Sequence, residues 1–383
     1  MKHLKYGGST MHRTINCSGW QALAEQVAPV TKSSPAAARG SALHDCMEAL
    51  LNDVYGAPAD CEGEYSEEHD YTVTADDVIA LTDALGAWDA LVEQYNLKEY
   101  DTEIFSQLIP NVVGGSADVV AFGPEHTLVV DWKFGHNPVD PTASWQGATY
   151  LLSLSEDDDL KYDDAHFDKQ MVFVIIQPTT GEGYKDYAYA TEELDEMYAT
   201  IIKTVEVSET GAGVRQPGDH CQFCPGAPIC DVKIVQAKAA LDLPADVTLD
   251  LETALALTAQ LEPWVTQVKT FAHEMLEQGA TVPGWKLVEK RATRKWADEA
   301  EVTTKLKGMR RLKLEDYSNI VTKTAPQLEK VCKAKDIDFN KEFASFVVKK
   351  SSGTTLAPED DKRPAVSLER NAADTVATLG KLK

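Results

Sequence analysis

Two apolar runs, GSADVVAF at residues 115–122 and TLVVDWKF at 127–134, constrain the fold of this chain more than any other feature. Both are rich in β-branched and aromatic residues, and Gly123-Pro124 interrupts them, so they predict two strands joined by a short turn. Each also carries charge where side chains are usually buried: Asp118 within the first strand, Asp131 and Lys133 at the end of the second. Strand alternation puts Asp131 and Lys133 on one side and Trp132 on the other. Pairing across the turn would bring all three charged groups together at one edge of a sheet. Two carboxylates about 4 Å apart repel by roughly 1–4 kcal/mol at high and intermediate dielectric, so a divalent cation between them is the natural remedy. Mg²⁺ or Mn²⁺ suits such oxygen donors, and an ammonium beside them suits phosphodiester hydrolysis. An ordinary Asp–Lys ion pair at a strand end has the same spacing.

The flanking segments extend the pattern. PAAARGSALHDCMEALLNDVYG, residues 35–56, has apolar residues at three- and four-residue steps, including Val54, and predicts a helix. It carries His44 and Glu48 on one face, beside Gly40, where a backbone or ligand could approach closely. A histidine in this setting also suits plain packing. A second helix is predicted over about 76–95 and a strand over YDTEIFSQLI. The helix over 143–154 would place Gln146 and Tyr150 on one face, and KQMVFVIIQP predicts a buried strand ended by Pro178. Helix, three strands, helix, strand is the order of an α/β core with a central mixed sheet flanked by helices. Apolar steps from Leu251 to Leu276 predict one long amphipathic helix, packed on the core or forming a coiled-coil arm. No internal repeat is visible.

GSALH, GSADVV, VVDWKFG and WQGATY, in that order, resemble the PD-(D/E)XK nuclease superfamily in its RecB-like branch, whose pattern is a histidine helix, an Asp, a (D/E)xK strand and a QxxxY helix. The resemblance covers roughly residues 35–180. It implies a restriction-endonuclease-like core in which Asp118, Asp131, His44 and the Trp132 carbonyl hold Mg²⁺ or Mn²⁺ and Lys133 is catalytic. Gln146 and Tyr150 would organise the site and contact the DNA backbone, with Glu48 a supporting carboxylate. The implied activity is that of a metal-dependent deoxyribonuclease, an exonuclease by its histidine and QxxxY elements. Its substrate would be linear duplex or single-stranded DNA, in phage replication, recombination or degradation. A phage single-strand-binding or annealing protein would be a fitting partner.

Seven cysteines in a chain with no evident leader favour free thiols or a metal site over disulfides. GDHCQFCPGAPIC holds Cys221, Cys224 and Cys230, and three thiolates need a fourth ligand. His220 is adjacent but badly aimed, and Cys17 in TINCSGW is the better candidate. RecB-like nucleases with a 4Fe-4S cluster are similar, joining one cysteine ahead of the histidine helix to three beyond the nuclease core. The resemblance thus implies a 4Fe-4S cluster on Cys17, Cys221, Cys224 and Cys230, a staple closing a very long loop; zinc is the competing metal. Cys46, Cys61 and Cys332 read as packing residues.

The formal charge of −24 divides into −31 over residues 1–285 and +7 over 286–383. The acidity excludes a general nucleic-acid coat, and the change of sign suggests a boundary. The expected divisions are an N-terminal segment (1–34), a nuclease core (35–210), a cysteine segment (211–235), a helical, basic C-terminal domain (236–350) and a tail (351–383). WKLVEKRATRKW and KLKGMRRLK offer Lys286, Lys290, Arg291, Arg294, Lys295, Lys305, Lys307, Arg310, Arg311 and Lys313 for phosphate contact, or simply form a solvated face. No run approaches the roughly 18–20 apolar residues of a membrane span, and the opening MKHLKYGGSTMHRT has no apolar core, so a cytoplasmic protein is expected. Two other functions fit parts of the sequence: a non-catalytic DNA-binding or assembly protein that keeps the fold, and an acidic DNA mimic.

Overall fold

Val113–Phe122 is buried along its whole length, as befits a strand covered on both faces. The computed structural model describes residues 4–27, 34–241, 251–286 and Lys341. Two units divide the chain, Met1–Val288 and Glu289–Lys383, and the architecture below is that of the first. Its helices are α1 (Gly8–Asn16), α2 (Trp20–Ala24), α3 (Pro35–Leu51), α4 (Ala75–Gln94), α5 (Trp145–Glu156), α6 (Asp164–Phe167), α7 (Thr191–Glu209), α8 (Asp231–Leu241) and α9 (Leu251–Glu277). A two-stranded ribbon, β1 (Tyr65–Ser66) and β2 (Tyr71–Thr72), precedes α4. The main sheet holds β3 (Glu99–Ile109), β4 (Val113–Phe122), β5 (His126–Trp132), β6 (Gln170–Ile176) and β7 (Tyr184–Ala188), in that spatial order.

β3, β4 and β5 run antiparallel as a meander, β5 and β6 are parallel through the α5 crossover, and β7 returns antiparallel. The sheet is therefore mixed, flanked by helices on both faces, as the order of elements predicts. One core packs Leu43, Met47, Leu81 and Trp88 of α3 and α4 on Val119, Leu128, Val130 and Trp132. The other packs Met11, Leu151 and Ile201 of α1, α5 and α7 on Val120, Val129 and Phe173. Trp132 is 2% exposed, a burial that stabilises by roughly 2–3 kcal/mol for a large apolar side chain.

Local chemistry sets the helix ends. Ser34 Oγ accepts from Ala37 N at 3.1 Å and Pro35 opens α3. Thr74 and Asp77 form a reciprocal capping box on α4. α3 ends at Leu51, short of the expected 56: Asn52 caps it, Asp53 turns left-handed (φ 56°), and Val54 is 71% exposed rather than core. Gly147 is required in α5, because a Cβ there would fall 2.4 Å from Phe173 Cγ. α9 forms as predicted, and it packs chiefly on the turns Asp219–Phe223 and Ala227–Ile229 and on α8. The sequence does not make α1, β7 or α7 obvious, since each pairs short apolar runs with polar interruptions. The predicted basic residues Lys290, Arg291, Arg294, Lys295, Lys305, Lys307, Arg310, Arg311 and Lys313, with Cys332 and the tail, lie outside the described residues; Lys286 is exposed.

Candidate active site

The β4–β5 register pairs Val119 with Val130, so one further step sets Asp118 opposite Asp131. Trp132 N–H donates to Asp118 Oδ2 at 2.8 Å, and His44 Nδ1 of α3 lies 3.3 Å from the same oxygen. Lys133 Nζ forms an ion pair with Asp131 Oδ2, while Gln146 Nε2 of α5 donates to Asp131 Oδ1 at 2.6 Å. Tyr150, one turn on, is buried near both carboxylates. The structure thus joins His44, Asp118, Asp131, Lys133, Gln146 and Tyr150. The group lies on β4 and β5, two of the three inner strands, not at a sheet edge as expected, because β3 and β6 flank them. Gly40 has nothing within 4 Å of an added Cβ, so no backbone approaches it closely.

Burial opposes charge at all four central groups, and their mutual arrangement decides the outcome. For Asp118, His44, Lys133 and the Trp132 N–H overcome desolvation and hold the carboxyl below its usual range. For Asp131, desolvation together with the negative charge of Asp118 outweighs Lys133, and its carboxyl is pushed up. His44 and Lys133 are desolvated too, yet their carboxylate partners raise both, keeping them protonated. Burial and the two carboxylates push the Tyr150 phenol up as well, so it stays a neutral hydroxyl.

Three further elements shape this site without having stood out in the sequence. Glu103 of β3 lies across from Asp118, in a register otherwise unbroken from Thr102–Val119 to Ile104–Ala117. Its backbone is left-handed (φ 52°), and burial, then Asp118 and Glu48, push its carboxyl up to about 7. Glu48 is thereby placed on this acidic rim. Second, Arg39 Nε donates to buried Asp77 at 2.6 Å and Nη1 to the Phe134 carbonyl at 2.8 Å, tying the His44 helix to the strand that supplies Lys133. The His44 ring meets Phe134 edge-on, with centroids 5.8 Å apart. Third, Gln177 holds the loop after Lys133 through Gly135 O, Asn137 O and Val139 N.

The donor chemistry fits a hard divalent cation. Buried Asp131 Oδ2 and His44 Nδ1 make ion-pair contacts with Lys133 and Asp118 but no well-formed hydrogen bond. Both are of the atom types that can ligate a cation, and each is held by charge alone. No three His, Cys, Asp or Glu side chains among the described residues converge as a finished metal shell. Trp132 enters the site through its backbone, its ring lying in the opposite core 6.5 Å from Trp88.

In a separate region Cys17, Cys221, Cys224 and Cys230 lie within electrostatic range of one another, without converging as a closed metal shell. Gly19 N–H donates to Val214 O at 3.1 Å and Val214 N–H to Ser18 Oγ at 3.0 Å. A Cβ on Gly213 would lie 2.4 Å from Ser18 O, and one on Gly19 2.8 Å from Gly213 O. Two glycines therefore let the Cys17 loop lie against the chain leading to Cys221. The short turns Asp219–Phe223 and Ala227–Ile229 present Cys224 and Cys230 at their ends. Cys17 is close enough to feel the charge of Cys221 and Cys230, and Cys224 that of Cys17 and Cys221. All four are free thiols, and burial pushes Cys17 and Cys224 up. His220 turns to Gln216 O instead. Cys46 and Cys61 are buried against one another, and burial, then Cys61, push the Cys46 thiol up to about 12.

The family model described as a protein of unknown function, DUF2800, matches residues 3–364. The chain belongs to this family. The DUF2800 model spans both the sheet and the cysteine cluster. Among solved structures, this DUF2800 chain is similar to a candidate exonuclease from Eubacterium rectale, with 9% identity and a TM-score of 0.34 over 64% of this chain and 91% of that one. It is also similar to SSO0001, with 13% identity and a TM-score of 0.25 over 56% of this chain and 96% of the other. None of the helices among the described residues is long and apolar enough to cross a membrane.

Proposed function

We propose that the chain is a metal-dependent deoxyribonuclease acting from DNA ends. The observation that carries this reading is the junction of Asp118, Asp131, Lys133, His44 and Gln146, supplied by four separate elements, α3, β4, β5 and α5. A purely structural ion pair needs two of these groups. Two buried carboxylates joined by three half-buried polar groups at one point cost stability and are kept where chemistry needs them.

Asp118, Asp131 and His44, with the Trp132 carbonyl, would hold Mg²⁺ or Mn²⁺. That cation, when bound, supplies charge neutralisation at phosphorus and a lowered pKa for water. Lys133, protonated and 28% exposed, is the group able to reach a phosphate oxygen or orient the attacking water. Gln146 fixes the Asp131 carboxylate by its amide, and the neutral Tyr150 hydroxyl can donate to a backbone phosphate. Cys17, Cys221, Cys224 and Cys230 would hold a 4Fe-4S cluster or zinc, bracing the N-terminal helix against the segment after α7.

End-labelled linear duplex and single strands, incubated with and without Mn²⁺, test the activity. End-dependent ladders are expected from the wild type, and neither Asp131→Ala nor Lys133→Ala should produce them while keeping its circular dichroism spectrum. Undiminished digestion by either variant would sink the assignment. Binding of DNA without any cleavage by the wild type would point to a non-catalytic DNA-binding protein instead.

A further inference from the structure

Arg13 of α1 is half-buried between the Trp20 ring, 4.8 Å from its guanidinium carbon, and the cysteine turns. Nη2 donates to Phe223 O at 2.7 Å and Nε to His220 O at 3.4 Å. No carboxylate among the described residues forms an ion pair with it; the ionisable groups it faces include Cys224, Cys221 and Cys17. A guanidinium partly withdrawn from water and facing neutral thiols is an uncompensated charge, which protein interiors rarely tolerate. Four thiolates around a divalent core carry net negative charge, and that anion is the partner the position lacks.

We propose that Arg13 is the positioning and charge-compensating residue of the cysteine centre, its two donor arms seating the turns of Cys221 and Cys224 while its positive charge offsets that of the bound thiolates. The inference rests on the proposed metal–thiolate reading of Cys17, Cys221, Cys224 and Cys230, and it adds a residue outside the ligand set. Arg13 stands four residues before Cys17 on the same helix and its end, so the fourth ligand and the compensating charge arrive together.

The test uses the full chain purified without oxygen, as wild type, Arg13→Lys and Arg13→Met. Iron, acid-labile sulfide and zinc are counted per chain, and metal loss to excess EDTA is followed by absorbance or a chromogenic chelator. Thermal melts report the fold. Arg13→Met, which keeps a stem on Trp20 but no charge, should lose metal at least about tenfold faster, as loss of an outer partner of metal ligands commonly does. Arg13→Lys keeps the charge and should restore most of the retention. If the centre holds iron, Arg13→Met should also show a more negative reduction midpoint, a change that altered packing without altered charge would not produce. A wild type free of iron and zinc overturns the cysteine reading and the proposal with it. A metal-loaded wild type whose Arg13→Met variant keeps metal equally well, or whose Arg13→Lys variant loses it as fast as Arg13→Met, overturns the Arg13 proposal alone.

Discussion

The Trp132 N–H donates to Asp118 Oδ2, so the strand that carries Asp131 and Lys133 also clamps the carboxylate facing them. The two acids are thereby made unequal. Asp118 has a fixed donor and His44, while Asp131 must ionise beside a carboxylate already charged. A carboxyl whose pKa is raised on folding disfavours the folded state once pH exceeds its unfolded value, because the charged form is the costly one. Asp131→Asn should therefore abolish digestion and flatten the fall of the metal-free melting temperature as pH rises through the carboxylate range. Asp118→Asn should abolish digestion and lower that temperature. Differential scanning calorimetry in EDTA over that pH range reads both effects.

Gly147 is the point at which α5 touches β6 closely enough to bring Gln146 to Asp131. Gly147→Ala puts a methyl 2.4 Å from Phe173 Cγ, and overpacking of this kind typically costs about 1–3 kcal/mol. Displaced α5 would also loosen the 2.6 Å Gln146–Asp131 hydrogen bond. The expected result is a lower denaturant midpoint with reduced turnover, partly recovered when Phe173→Leu is added. Wild-type stability in the single variant would show that the helix can shift freely.

The sheet and the central site were legible because both rest on local signals: short apolar runs at β3, β4 and β5, turn residues between them, and charges set into those runs. Asp118, Asp131 and Lys133 stand out since burying each is costly unless they meet. Arg39, Gln177 and Arg13 did not stand out, for their partners are backbone groups or residues distant in sequence, Arg39 reaching Phe134 O and Arg13 reaching Phe223 O. Such contacts leave no periodic trace. Glu103 was overlooked for another reason: its importance comes from a left-handed backbone and from facing Asp118, neither of which follows from strand alternation. The end of α3 was misplaced because Val54 continues the helical spacing after Asn52 has already capped the helix.

Asp77 gives the acid limb of stability. Burial works against its ionisation, but hydrogen bonds from the Thr74 hydroxyl and N–H, Tyr71 and Arg39 outweigh it, and its folded pKa is depressed. A depressed carboxyl contributes stability that is present above the unfolded value, near 3.9, and is lost as pH falls through the lower folded one. Asp77→Asn should flatten the fall in melting temperature below about pH 4 while lowering stability at neutral pH. Since Arg39 would lose the anchor that ties α3 to Phe134, turnover should fall as well. An unchanged acid limb in the variant would mean that other carboxylates carry it.

His44 links pH to cation binding. Desolvation disfavours its charge, yet Asp118 raises it above the usual histidine value, so the metal-free site holds a proton on the imidazole. A cation ligated by His44 must displace that proton, because only the neutral ring has a lone pair to offer. Affinity for Mn²⁺ should therefore rise with pH up to the raised folded pKa and level off above it, with proton release on binding. Isothermal titration in buffers of different ionisation enthalpy counts those protons directly. His44→Asn keeps a hydrogen-bonding side chain near Asp118 without a titratable ring, so its Mn²⁺ affinity should be lower and its pH dependence shallower across the histidine range. Identical proton release in wild type and His44→Asn would place the histidine outside the cation's coordination and leave Asp118 and Asp131 as the binding pair.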